Sequence, residues 1–209
     1  MSMICRILTA ALLASLGAMP WTGDIAYASS SGSSNVMLVQ RFLGDEDRGQ
    51  CGYEKGDIRA SFGKWSRPIY VNTDNRRGGC EYSLALLDPS GSLAGLRLTF
   101  TFSKVGPQPQ CDQTGEHVVP ISKDAAALVW SQKIRIDSDD REGGCQLAFA
   151  VSGRHDIVLD VEFISDGDPS QCRGAGRHTV ATGKPSAIEI DTDSRPGGCF
   201  LRLRLRNGP

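Results

Sequence analysis

No charge of either sign predominates in this chain: 23 Lys and Arg stand against 24 Asp and Glu, a net charge of −1 over 209 residues. A balance this even supplies no global field for drawing in nucleic acid or an anionic membrane, so neither is an expected partner. Histidine is scarce, at 3 residues, and none stands in a His-x-His or Glu-x-x-His spacing, which removes the usual basis for a zinc site. A Gly-x-Ser-x-Gly elbow and a phosphate-binding loop are also missing. The apolar run from Ile7 to Met19 falls short of the roughly 20 residues that a membrane-spanning helix needs. It follows Arg6 and precedes Ala26-Tyr27-Ala28, the layout of an export signal with a small-residue cleavage site. Residues 1–28 are therefore expected to be removed, and the Ser/Gly run at 29–35 to form a flexible leader. The rest, 36–209, is expected to work outside the cytoplasm, secreted or periplasmic, with no membrane span.

What is present in abundance is a phrase written three times. It reads Asn72-Thr73-Asp74-Asn75-Arg76-Arg77-Gly78-Gly79-Cys80, then Asp137-Ser138-Asp139-Asp140-Arg141-Glu142-Gly143-Gly144-Cys145, then Asp191-Thr192-Asp193-Ser194-Arg195-Pro196-Gly197-Gly198-Cys199. Recurrence at fixed internal spacing marks one structural unit used repeatedly, with copies spanning about 36–92, 93–154 and 155–209. Of the 7 cysteines, Cys5 leaves with the signal, and Cys51, Cys80, Cys111, Cys145, Cys172 and Cys199 remain, two to a unit. An even set in an exported chain points to disulfides. Either each unit closes on itself (Cys51 with Cys80, Cys111 with Cys145, Cys172 with Cys199) or neighbours are stapled (Cys80 with Cys111, Cys145 with Cys172, Cys199 with Cys51). Self-closure is preferred, because a duplicated unit had to be stable before duplication.

Period-two alternation runs through each unit. Val36, Leu38, Gln40 and Phe42 match Leu96, Leu98, Phe100 and Phe102, and then Ile157, Leu159, Val161 and Phe163; after the second cysteine come Tyr82, Leu84, Leu86, then Leu147, Phe149, Val151, then Leu201, Leu203, Leu205. Alternation of this kind is the signature of strands with one apolar face. Shorter stretches at 58–62, 116–121 and 177–182, and at 69–71, 134–136 and 188–190, complete four strands per unit, named A to D. The fold class is all-β, with a short helix admitted only at 122–129. Brief links such as Asp88-Pro89-Ser90-Gly91 suggest hairpins from each D strand to the next A strand, which would close six long strands into a ring without open edges. This plan resembles the β-trefoil, a threefold pseudo-symmetric barrel capped by three hairpins. A β-prism with one four-stranded sheet per unit is the main alternative, and tandem β-sandwich modules the next.

The polar residues of the phrase admit two roles. Asp, Asn and Gly are turn formers, and Arg pairs with a flanking carboxylate; alternatively, Asp74, Arg76, Asp139, Arg141, Asp193 and Arg195 form three equivalent loops that hydrogen-bond sugar hydroxyls. An EF-type calcium loop is disfavoured because Arg occupies its fifth position. Trp65 and Trp130 hold matching positions and are candidate stacking platforms, with Lys184 there in the third unit. His117 and His178 also match, and the expectation is of solvent-facing strand positions. Arg202, Arg204 and Arg206 are the visible asymmetry, either a small basic patch or partners of Asp160 and Glu162. The expected function is binding, not catalysis, with glycans or a cell-surface or extracellular protein as partner, no cofactor and no metal. The competing expectation is a protein-interaction module, an inhibitor or envelope scaffold, contacting its target through 106–110 or 122–129.

Overall fold

The computed structural model describes residues 35–44, 51, 56–72, 76–107, 110–138, 142–165, 167, 169–191 and 197–209. The predicted signal, nearly all of the leader and the tips of the three phrases lie outside the described residues. The architecture is all-β. Unit 1 supplies β1 (Met37–Gly44), β2 (Gly56–Ser61), β3 (Ile69–Asn72) and β4 (Arg76–Leu87). Unit 2 supplies β5 (Arg97–Val105), β6 (Cys111–Asp112), β7 (Gly115–Val118), β8 (Ile121–Ser122), β9 (Ile134–Ser138) and β10 (Gly144–Ser152). Unit 3 supplies β11 (Ile157–Ser165), β12 (Cys172–Arg173), β13 (Gly176–Val180), β14 (Ser186–Asp191) and β15 (Gly198–Asn207). The stretch expected to allow a helix holds one 3₁₀ turn, Ala125–Ala127, whose Ala126 N–H is accepted at 2.8 Å by Asp124.

The strands form three sheets: sheet I in the order β2-β1-β4-β9-β6, sheet II in the order β7-β5-β10-β14-β12, and sheet III in the order β13-β11-β15-β3. Translated into units, each sheet reads B, A and D of one unit followed by C of another. The inner-face residues named from the alternation are buried without exception and belong to one hydrophobic cluster drawn from all three sheets, apart from Gln40, which is buried but polar. Alternation thus located the core face of every long strand.

The expected ring of six strands is not formed, and no sheet closes into a barrel. Each A strand pairs with the D strand of its own unit, as in Met37↔Leu87 through Gly44↔Cys80, and not with the D strand before it. The D-to-A links carry the chain from one sheet to the next. The first of them turns around Asp88, whose carboxylate accepts from Ser90, Ser92 and the Leu93 N–H, and it sends Leu93 and Leu96 into the core. A connection that buries two leucines serves as a crossover and cannot be a surface hairpin.

Bridges pair as self-closure predicts: Cys51 with Cys80, Cys111 with Cys145 and Cys172 with Cys199. The second and third are nonetheless more than local. Cys111 lies in β6 of sheet I and Cys145 in β10 of sheet II, while Cys172 lies in β12 of sheet II and Cys199 in β15 of sheet III. These two pairs within a unit therefore staple neighbouring sheets, because each unit contributes strands to two of them.

Candidate functional site

The three phrases interlock. Asp137, opening the second copy, pairs with Gly79 of the first; Asp191, opening the third, pairs with Gly144 of the second; Asn72, opening the first, pairs with Gly198 of the third. The cycle is closed, so all three phrases gather at one end of the sheets. The two glycines divide the work. Gly143 and Gly197 hold φ of +146° and +110°, a region that disfavours side chains. The second glycine makes room for the incoming C strand: a Cβ at Gly144 would lie 2.8 Å from the Ile190 carbonyl oxygen, and one at Gly198 2.4 Å from that of Val71. Beside it, the first cysteine's Sγ sits 3.2, 3.1 and 3.3 Å from the carbonyl oxygens of Gly79, Gly144 and Gly198. Gly-Gly-Cys is thus the joint between units.

The opening acids are held as well. Arg135 donates to Asp137 at 3.4 Å, and Arg173 to Asp191 at 3.3 Å. Asp74, Asp139, Arg141, Asp193 and Arg195 lie outside the described residues; Arg76 begins β4, its backbone opposite Ser138.

Trp65 and Trp130 are not neighbours, since each sits over a different sheet. Arg41, itself bound to Asp57 at 2.7 Å, lies 3.9 Å from the Trp130 ring centroid. Trp65 has Arg204, Arg202 and Arg177 at 4.5, 5.0 and 5.9 Å. The serine after each tryptophan explains their positions. Ser66 N–H donates to the Leu203 carbonyl and its hydroxyl accepts from Leu203 N–H, at 2.8 and 3.0 Å; Ser131 does the same with Leu84 at the same distances. Where the C strand leaves the D strand, the Trp-Ser step satisfies the backbone groups that would otherwise be stranded. Ser66 also accepts from Gln40 at 2.7 Å, and Gln40 accepts from Tyr82 at 2.8 Å, a buried polar chain that ties sheet I to sheet III. Burial pushes the Tyr82 hydroxyl well above its ordinary range.

The matched histidines hold turns. His117 and His178 place Nε2 2.8 and 2.6 Å from the carbonyls of Gln113 and Gly174, the two residues at equivalent positive-φ positions. His117 is buried against Phe100, 5.0 Å between ring centroids, which corrects the expectation that it faces solvent. Among the described residues no group of three His, Cys, Asp or Glu is placed to hold a metal ion.

The outer faces of the sheets are where the units part company. One cross-strand position shows it best: it is Arg135↔Glu81 in sheet I and Glu189↔Gln146 in sheet II, but Tyr70↔Phe200 in sheet III. The Tyr70 and Phe200 rings lie 4.5 Å apart. Phe200 lines a groove of about 240 Å³ with Pro68, Ile164, Glu162 and Arg202, and Ile164 is 47 % exposed. Beyond the apolar end runs a charged ladder. Glu162 accepts from Arg177 Nε at 2.5 Å and from Arg202 Nε; Asp160 accepts from Arg204 at 2.6 Å, Arg206 at 2.6 Å and Thr179 at 2.8 Å. The second sequence reading of the arginine stripe, as partners of these two acids, is the observed one. The Arg202 hydrogen bond, joined by that of Arg177, holds the Glu162 carboxyl below its usual range against the effect of burial. For Asp160, burial alone would raise the carboxyl, and hydrogen bonds from Arg206, Arg204 and Thr179 outweigh it and lower it.

No protein family, curated protein or solved structure matches the chain. Its candidate site therefore rests on geometry alone. Sequence reasoning found Trp65, Arg202, Arg204 and Arg206 but missed Arg177, Pro68, Tyr70, Ile164 and Phe200. The usable signal was an aromatic pair at outward positions that are polar in the other two copies.

The segments favoured for a protein partner are also placed. Val105, Gly106 and Pro107 line a second cleft, about 170 Å³, with Glu142, Gly143 and Asp191 at the phrase end of sheet II, while 108–109 lie outside the described residues. The insertion at 122–129 follows β8, which runs parallel to β4 at Leu86 and Leu87; Asp88 N–H donates to Ser122 at 2.8 Å. Part of that insertion thus completes the edge of β4.

Proposed function

We propose that the chain is an exported, disulfide-stabilised protein that binds carbohydrate, in the manner of a lectin, on the outer face of sheet III. The six bonded cysteines suit an oxidising compartment, and no helix among the described residues is long and apolar enough to cross a membrane. The observation that carries the reading is that Tyr70 and Phe200 occupy, in one sheet of three, a cross-strand position that is polar in the other two. An aromatic and apolar floor beside guanidinium groups, mounted on a disulfide-stapled sheet, offers the stacking face and fixed donors that a sugar ring engages. Binding rather than catalysis fits the side chains present, since the two carboxylates of the face are each committed to two arginines.

A second location is the end where the phrases meet. The described residues of the three phrases form one interlocked joint, and binding through Asp74, Arg76, Asp139, Arg141, Asp193 and Arg195 of those phrases would give avidity for a multivalent surface. The test is a broad glycan array probed with the oxidised protein, a Phe200→Ala variant and a triple Arg76, Arg141, Arg195→Ala variant, each checked for an unchanged melting temperature. Loss of binding in Phe200→Ala alone supports the sheet III face. Loss in the triple variant alone moves the site to the tips. No binding by the folded parent refutes the carbohydrate reading and turns attention to an extracellular protein partner.

A further inference from the structure

The donor count of the sheet III face narrows the ligand, given the carbohydrate reading above. Arg177 and Arg202 each bind Glu162 through Nε. Among the described residues their terminal nitrogens have no hydrogen-bond partner, so two guanidinium ends stand side by side over one carboxylate, beside the Trp65 ring. Arg177 is also 71 % exposed, while Glu162 is 5 % exposed and Asp160 6 %. Four guanidinium groups face two carboxylates here, although the chain as a whole carries a net charge of −1. Acceptors on this face are occupied and donors are in surplus. A neutral sugar, which must donate through its hydroxyls as well as accept, is poorly served by such a surface; an acceptor-rich, anionic one is well served. The apolar floor at Phe200 and Pro68 adjoins Arg202 in the same groove.

We propose that the groove takes an acidic saccharide, its carboxylate or sulfate lodged between the free ends of Arg177 and Arg202 and its ring against Phe200. A face, unlike a sheet edge, offers no main-chain pairing to an acidic peptide, which is why a saccharide is preferred. The surplus of planar, forked donors favours bidentate recognition of the anion.

The experiment is calorimetric titration of the oxidised protein with an oligouronate, a sulfated oligosaccharide, a neutral oligosaccharide of the same length and an oligoglutamate. Arg177→Gln and Arg177→Lys follow, each checked by melting temperature, since so exposed a residue is replaced without loss of fold. Expected is binding of one or both acidic saccharides, weakened about tenfold by Arg177→Gln and partly recovered in Arg177→Lys. The two acidic probes separate carboxylate from sulfate. Equal binding of the neutral oligosaccharide, or no effect of Arg177→Gln, overturns the acidic assignment while leaving carbohydrate binding in place. Oligoglutamate binding as tightly as the oligouronate overturns the saccharide preference. Failure of every saccharide, neutral included, refutes the carbohydrate reading itself.

Discussion

Replacing Gly198 with alanine drives a methyl group into the joint between units. Its carbon would sit 2.4 Å from the Val71 carbonyl oxygen and 2.7 Å from Cζ of Tyr70, so a backbone strand has to move by nearly 1 Å to reach ordinary contact. Overpacking of this kind costs about 1–3 kcal/mol, and removing a glycine returns about 0.4–1 kcal/mol through the unfolded chain. A net loss of about 2 kcal/mol is expected, because rigid backbone blocks the methyl. At Gly144 the nearest obstacle is also backbone, the Ile190 carbonyl at 2.8 Å, and a loss of about 1–2 kcal/mol is expected. Gly79 has the same place in the repeat, yet what stands in its way is the Arg135 guanidinium at 2.7 Å. That side chain can swing aside for the loss of weak ion pairs to Asp137 and Asp112, so Gly79→Ala is close to neutral. Thermal unfolding of the oxidised proteins reads the series: about 4–8 °C lost for Gly198→Ala, less for Gly144→Ala, and under about 2 °C for Gly79→Ala. Equal effects at Gly79 and Gly198, or none at Gly198, would refute the interlocked pairing.

Three further outcomes follow from the same contacts. Peptide mapping without reduction yields three linked pairs, and replacing any one pair with alanines costs about 3.5 kcal/mol, the loop-entropy figure for separations of 29, 34 and 27 residues; a map with cross-unit links would contradict the fold. Ser131→Ala strands the buried Leu84 N–H, for about 1–2 kcal/mol, and Ser66→Ala costs more, since Gln40 loses its acceptor too; equal effects in a urea titration would argue against the buried chain through Tyr82. Asp160 and Glu162 have folded values below their ordinary 3.8 and 4.5. The stability they confer is thus fully present above those ordinary values and is lost as pH falls through the lower folded ones. Melting temperature should drop as pH falls below about 4.5, and more shallowly in Asp160→Asn, whose remaining amide no longer titrates; identical slopes would remove Asp160 from the account.

The sidedness of the long strands was legible because burial writes itself as alternation. Each of Leu38, Phe42, Leu84, Leu98, Phe163 and Leu203 lies in the core that the period predicted. Strand partnership was not legible, because a D strand with one apolar face packs equally well beside its own A strand or the next. Two residues held the missing information: Leu93 and Leu96 make the first D-to-A link too apolar for a surface turn. The exchange of C strands left a trace in the Gly-Gly pair, whose second glycine lacks positive φ and is there for clearance. At the site, the charged ladder could be read from Arg202, Arg204 and Arg206 opposite Asp160 and Glu162. The groove could not, since Pro68, Tyr70, Ile164 and Phe200 come from three separate segments and only the sheet brings them together.

Binding on the outer face of sheet III is most directly tested by nuclear magnetic resonance of the isotope-labelled, oxidised protein titrated with an oligouronate. The expected result is a contiguous set of saturable shifts at Tyr70, Ile164, Arg177, Phe200 and Arg202, with sheets I and II undisturbed. Shifts confined to the phrase tips around Arg76, Arg141 and Arg195, or to the sheet II cleft, would contradict it.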